Sequence, residues 1–134
     1  MTGSASSFKH DWQYDPETGI IRVVPNGPIS ATDAGELMRL RHRDVPNGEA
    51  AFFMSDNRNV ELTAEARKVL ATEWEIGETY YAGWGAAFAQ RSMLNLFMKA
   101  LSLKYPIKAN MFAEETAARA WLLEQRRAYL ARKT

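Results

Sequence analysis

Apolar and polar positions follow two different periods along this chain, and these periods predict strands and helices in turn. Short apolar runs rich in aromatic or β-branched residues stand at Ile20–Val24 and Glu49–Met54, and turn residues bound each of them. Further along, apolar residues recur at helical spacing, as at Leu62, Ala66 and Leu70. Strands that alternate with helices are typical of a mostly parallel sheet covered by helices.

The complete pattern predicts the element order β-β-α-β-α-β-α-β-α. The first two strands form a hairpin, because Asp15-Pro16-Glu17-Thr18-Gly19 between them is a strong turn sequence. The predicted strands cover residues 8–14, 20–24, 49–54, 82–89 and 106–112. The predicted helices cover the segments that follow Ser30, Leu62, Gln90 and Ala113. The sequence therefore predicts an α/β fold.

The helical segments differ in the surfaces that they present. Ser30 or Thr32 can cap the first helix, on which Ala34, Leu37, Met38 and Arg41 mark one face. Thr63 is the expected N-cap of the second helix. The third helix, at 91–103, has apolar residues on most sides, which is typical of a helix that is deeply buried or meets a partner or ligand.

Length and composition limit the class of protein. A chain of 134 residues predicts one domain at 8–134, preceded by a flexible tail at 1–7. The net charge of +1 gives no bias toward nucleic acid, and the absence of cysteine excludes disulfides and thiol chemistry. No signal-peptide pattern and no apolar stretch approaching the roughly 20 residues of a membrane span is present. We expect a cytoplasmic protein.

Signatures of catalysis and of cofactor binding are missing from the sequence. His10 and His42 fall in different elements, and a transition-metal site normally needs several histidine or cysteine ligands. Gly83-Trp84-Gly85 lacks the third glycine of a dinucleotide loop, because Phe88 stands at that position. We therefore predict a non-enzymatic protein without a metal or other cofactor.

Two groups of residues are candidates for a binding site. The loop after the strand at 49–54 carries Asp56 and Arg58 and leads to Thr63, at the position where a parallel sheet often keeps its site. The alternative explanation of these residues is a solvated loop with a helix start. The second group is an aromatic and methionine surplus that would form core, line an apolar pocket or build a dimer surface. Its candidate members are Trp74, Tyr81, Trp84, Met93 and Phe97.

Four stretches resemble the SpoIIAA-like (STAS-like) domains of the anti-sigma-factor antagonist superfamily. These stretches are Asp15 to Val23, Gly27 to Ala34, Phe52 to Val60 and Phe112 to Leu122, and the resemblance extends over about residues 10–125. It implies a βα superhelix with a mixed, mostly parallel sheet of about five strands and helices packed mainly on one face.

The resemblance also implies two functions. Related antagonists are phosphorylated on a serine at the start of the helix after the third strand, whereas here the usual Asp-Ser-Ser-Gly sequence is absent and Thr63 is the nearest hydroxyl. The first hypothesis is a regulatory domain that presents Asp56, Arg58 and Thr63 to a protein partner. The alternative, a carrier or sensor of a small apolar or lipid ligand, follows from the link between divergent SpoIIAA-like proteins and lipid-transfer folds. The over-apolar helix at 91–103 adds the expectation of a homodimer.

Overall fold

The computed structural model describes residues 9–46, 48–58, 61–72 and 77–133. Within them, five strands and four helices follow one another in the predicted order, which confirms the α/β fold. The strands are β1 (Asp11–Asp15), β2 (Ile20–Val24), β3 (Ala51–Asp56), β4 (Thr79–Trp84) and β5 (Ile107–Phe112). The helices are α1 (Ala31–Asp44), α2 (Ala64–Thr72), α3 (Phe88–Ser102) and α4 (Glu115–Lys133).

The five strands form one sheet in their order along the chain. The predicted hairpin joins β1 and β2 in antiparallel register, and its turn closes where the Gly19 N–H donates to the Asp15 carbonyl at 2.7 Å. The strands β2, β3, β4 and β5 are parallel neighbours. The sheet is therefore mixed and mostly parallel, as predicted.

Each face of the sheet has its own helical cover. The three helices that connect parallel strands lie together on one face, because each connects adjacent strands in the same direction across the sheet and such connections share one hand. We call this side of the sheet the second face and the opposite side the first face. On the second face, α1 packs through Leu37 against Ile21, Val23 and Phe53. The terminal helix α4 packs on the opposite, first face.

The first face is densely filled. Phe52 stacks on Tyr80 with ring centroids 5.0 Å apart, and Tyr129 of α4 meets both rings edge-on. Leu122 of α4 is fully buried against the same cluster, which also contains Met54. Burial of these large side chains supplies the main hydrophobic stabilisation of this half of the protein.

The two predicted helix caps are present. The Ser30 hydroxyl accepts the Asp33 N–H at 3.1 Å and the Asp33 carboxylate accepts the Ser30 N–H, which makes a complete capping box. At α2, the Thr63 hydroxyl accepts the Ala66 N–H at 3.1 Å. Both interactions satisfy amide groups that a helix start would otherwise leave without a partner.

Several strand boundaries differ from the prediction, and the differences at β3 and β4 change which residues belong to the sheet. β3 continues through Ser55 and Asp56, because both polar residues stay in register with Gly83 and Trp84 of β4. β4 begins at Thr79 instead of Ala82 and ends before Gly85, whose φ of +85° turns the chain out of the sheet. α3 therefore begins at 88, where the prediction had a strand.

Candidate functional site

An apolar cavity lies between the second face of the sheet and the three helices that cover it. Its volume is about 100 Å³, somewhat less than the roughly 150 Å³ of a cavity that holds one benzene ring. The sheet supplies Phe53 and Tyr81 to its wall, and the helices supply most of the rest. The helical wall includes Leu37, Leu70, Leu94, Phe97, Met98 and Leu101.

The second face of the sheet combines small and large side chains. The residues of β3 and β4 that face α1 to α3 include Ala51, Ser55, Thr79 and Gly83, whereas the residues between them on the first face include Phe52 and Tyr80. Since neighbouring side chains along a strand point to opposite faces, the larger Phe53 and Tyr81 also lie on the second face, where they line the cavity together with Ser55 and Thr79.

A buried polar cluster stands at the floor of this face. The Tyr81 hydroxyl donates to Asn57 Oδ1 at 3.3 Å and also hydrogen-bonds with Ser55. Burial raises the pKa of Tyr81, and the hydrogen bonds to Ser55 and Asn57 oppose that change. Because Ser55 and Tyr81 also line the cavity, a ligand in the cavity would meet hydroxyl groups on the sheet side.

Arg41 is the one charged side chain among the cavity-lining residues of the described part of the chain. It is 7% exposed, and neither its Nε nor its Nη2 has a hydrogen-bond partner within the described residues. Burial lowers the pKa of its guanidinium, with no other cause acting against it. Two buried guanidinium nitrogens without a hydrogen-bond partner are costly, so their presence at this site calls for an explanation.

Helix α3 closes the cavity loosely. Leu94, Phe97 and Met98 line the cavity yet are only half-buried, and Leu96 on the outer side is 70% exposed. The N-cap position, Ala87, provides no side-chain hydrogen bond to the helix. Leu101 near the end of the helix also lines the cavity and is buried, so the half-buried part of α3 is the stretch that contains Leu94, Phe97 and Met98.

A more open groove of about 540 Å³ adjoins the cavity. Leu62, Leu94 and Phe97 line both the cavity and the groove. Arg58, Glu61, Arg67, Gln90 and Met93 form the rest of the groove. Two arginines and one glutamate give its rim a positive balance.

The aromatic and methionine candidates are divided among three places. Tyr81 and Phe97 line the cavity, and Met93 is in the groove and 64% exposed. Trp84 lies on the first face, buried under the Arg22 guanidinium at 5.4 Å from the ring centroid. Trp74 lies outside the described residues. Trp84 therefore does not share a site with Tyr81 and Phe97.

Two of the three loop candidates, Asp56 and Arg58, form a charged corner at the carboxyl end of β3. Arg58 donates through Nε and Nη2 to the buried Asp56 carboxylate, at 2.9 and 2.5 Å, and hydrogen bonding from Arg58 lowers the pKa of Asp56. The Arg58 side chain remains 65% exposed, whereas Thr63 is occupied as the cap of α2. Arg58 is thus the member of this trio that presents charge to solvent.

Sequence reasoning placed Arg41 on the apolar face of its helix but did not recognise it as a binding residue. The signal was a charged residue in line with Ala34, Leu37 and Met38, all at helical spacing. Long arginine side chains usually carry their charge from such positions to water, which is why the pattern did not single it out.

The histidines have structural surroundings. His10 is buried, accepts the Asn26 N–H at Nδ1 and contacts the Asp33 carboxylate through Nε2 at 3.1 Å, while His42 is exposed on α1. Within the described residues, no three histidine or acidic side chains come together where they would hold a metal ion. None of the helices in that part of the chain has the length and apolar character needed to cross a membrane.

No family model, curated protein or solved structure matches this chain. The geometry of the cavity, the groove and the charged corner is therefore the basis for inferring its function.

Proposed function

We propose that this protein binds a small amphipathic or lipid-like ligand in the cavity between the sheet and helices α1, α2 and α3. The observation that carries the proposal is the cavity itself, with almost entirely apolar walls and a loosely packed helix over it. Ligand pockets are typically concave and mostly apolar, with few polar groups that set orientation. The protein would act as a carrier or sensor and not as an enzyme.

The size of the site indicates how a ligand would occupy it. The cavity alone accepts only a short chain, because it is smaller than a cavity that holds one benzene ring. Displacement of Leu94 and Phe97 would join it to the groove and provide room for a longer ligand. We infer that ligand entry involves movement of the part of α3 that contains Leu94 and Phe97, which are half-buried.

We expect Leu94→Trp to abolish ligand binding, since the larger side chain would occupy the junction of cavity and groove. Leu96→Trp is the matched control, because Leu96 is on the same helix but 70% exposed and outside the cavity lining. Binding of hexanoate and octanoate is measured by calorimetry and by native mass spectrometry of the purified protein. Saturable binding to wild type and to Leu96→Trp, with none to Leu94→Trp, supports the proposal; absence of binding to wild type contradicts it.

Exposure of Arg58 favours a second candidate function, the STAS-like interaction domain. Its side chain is 65% exposed at the carboxyl ends of the strands, held in place by Asp56 beneath it. Arg58→Glu is then expected to abolish capture of a protein partner without unfolding the domain, since it reverses a surface charge. Arg67→Glu, also on the groove rim, is the control. Partner capture that survives Arg58→Glu in a folded protein would contradict this function.

A further inference from the structure

The two unpartnered nitrogens of the Arg41 guanidinium indicate the chemical class of the ligand. Its neighbours on α1 are paired: Arg39 donates to Glu36 at 2.5 and 2.9 Å, and Arg43 donates to Asp44 at 2.9 Å through both nitrogens. Arg41 has no such carboxylate among the described residues, although it is the most buried of the three. The helix thus provides acids for its exposed arginines and none for the buried one.

The two nitrogens that lack a partner have the arrangement that a carboxylate fits. Nε and Nη2 form one edge of the guanidinium, and these same two atoms make the bidentate pairs of Arg22 with Glu115 and of Arg39 with Glu36 in this protein. A carboxylate placed on that edge would accept two parallel hydrogen bonds and neutralise the charge. The missing partner of Arg41 is therefore defined in both charge and shape.

The position of Arg41 in the cavity sets the orientation of such a ligand. Arg41 is in the last turn of α1, near the end of the cavity formed by Thr79 and Ile107, where β4 and β5 begin. Leu62 and Leu94 line the groove as well as the cavity. A chain that extends from Arg41 toward Leu94 would meet apolar side chains of the helices and, on the sheet side, the hydroxyl groups of Ser55, Thr79 and Tyr81.

We propose that the natural ligand is an organic acid with a short apolar chain, whose carboxylate pairs with Arg41 while the chain lies along the cavity toward Leu94 and Phe97. This assignment rests on the proposed cavity function and specifies its ligand class. Since Nε and Nη2 are closed off from solvent, the carboxylate reaches them after lining side chains shift, in line with the loose packing of α3. An acid is selected over an alcohol of the same length because only the acid satisfies the buried charge.

The test compares hexanoate with 1-hexanol on the full-length protein and on Arg41→Met, by calorimetry at neutral pH. Wild type is expected to bind hexanoate more tightly than hexanol, and Arg41→Met to lose about 10- to 100-fold in hexanoate affinity with hexanol affinity unchanged. Arg39→Met, which removes an exposed arginine from the same helix, is the control and should leave both affinities unchanged. Arg41→Lys keeps the positive charge but lacks the two parallel N–H donors of the guanidinium, so it should lose part of the preference for hexanoate over hexanol.

The outcomes separate this assignment from the function on which it rests. Equal binding of hexanoate and hexanol by wild type, unaffected by Arg41→Met, would overturn the acid assignment and leave the cavity function standing. Binding of neither ligand by wild type would overturn both. Loss of hexanoate and hexanol together in Arg41→Met would also overturn the acid assignment, because Arg41 would then shape the cavity without selecting a carboxylate.

Discussion

Arg41→Met is expected to stabilise the protein in the absence of ligand, by about 1–3 kcal/mol in free energy of unfolding. Methionine keeps much of the length of the side chain and packs well in apolar surroundings, while the substitution removes a buried guanidinium whose Nε and Nη2 have no partner in the described residues. A side chain that lowers the stability of the folded protein is common at functional sites. Urea denaturation of wild type, Arg41→Met and Arg39→Met measures the effect.

The control fixes how this result is interpreted. Arg39 is exposed and paired with Glu36, so its replacement by methionine should change stability by no more than about 0.5 kcal/mol. A destabilised Arg41→Met would contradict the expectation, because it would show that Arg41 makes a net favourable interaction in the folded protein. Addition of hexanoate should raise the free energy of unfolding of wild type more than that of Arg41→Met, since the ligand binds the folded protein more tightly when the arginine is present.

Gly83→Ala is expected to destabilise the protein by about 2–4 kcal/mol and to disturb the floor of the cavity. A Cβ at Gly83 would overlap the Asn57 side-chain amide and would lie 2.7 Å from Met111 Sδ. Asn57 cannot move aside easily, because it is fully buried, its backbone N–H donates to the Trp84 carbonyl and its Oδ1 accepts a hydrogen bond from the Tyr81 hydroxyl. Thermal and urea unfolding measure the loss.

Gly35→Ala is the matched control for Gly83→Ala, and we expect it to have the opposite effect on stability. Gly35 is inside α1, where a Cβ would meet no atom within 4 Å, so alanine there should raise stability. The expected gain is about 0.5–1 kcal/mol through helix propensity. Equal effects of the two substitutions would contradict the close packing of Gly83 against Asn57. A folded Gly83→Ala protein with weaker hexanoate binding would further link this floor to the cavity.

The fold was predictable because its determinants are local and periodic. The hairpin depends on the turn sequence Asp15 to Gly19, and the capping box depends on Ser30 and Asp33, all recognisable within a few residues. The start of β4 was not predictable, because Thr79 and the tyrosines after it form a strand only by pairing with Ala51 and the phenylalanines of β3. Pairing between distant segments leaves little local trace.

The candidate site was predictable only in part, for a similar reason. Tyr81 and Phe97 were identified as possible pocket residues from their aromatic character, and both line the cavity. The aromatic character of Trp84 is the same, yet the strand alternation places it on the first face. Arg41 lacks a partner because, among the described residues, neither the sheet nor the three helices place an acceptor next to its Nε and Nη2. The periodicity of one helix does not reveal this absence.

The most direct test of the central claim is an NMR titration that observes the arginine Nε–Hε groups of the ¹⁵N-labelled protein as hexanoate is added. We expect one signal, absent from the spectrum of Arg41→Met, to move strongly downfield and to saturate, because Nε of Arg41 begins to donate to the carboxylate. Hexanol should leave this signal nearly in place. An Arg41 signal that does not respond to hexanoate, under conditions where the acid is bound, would contradict the claim.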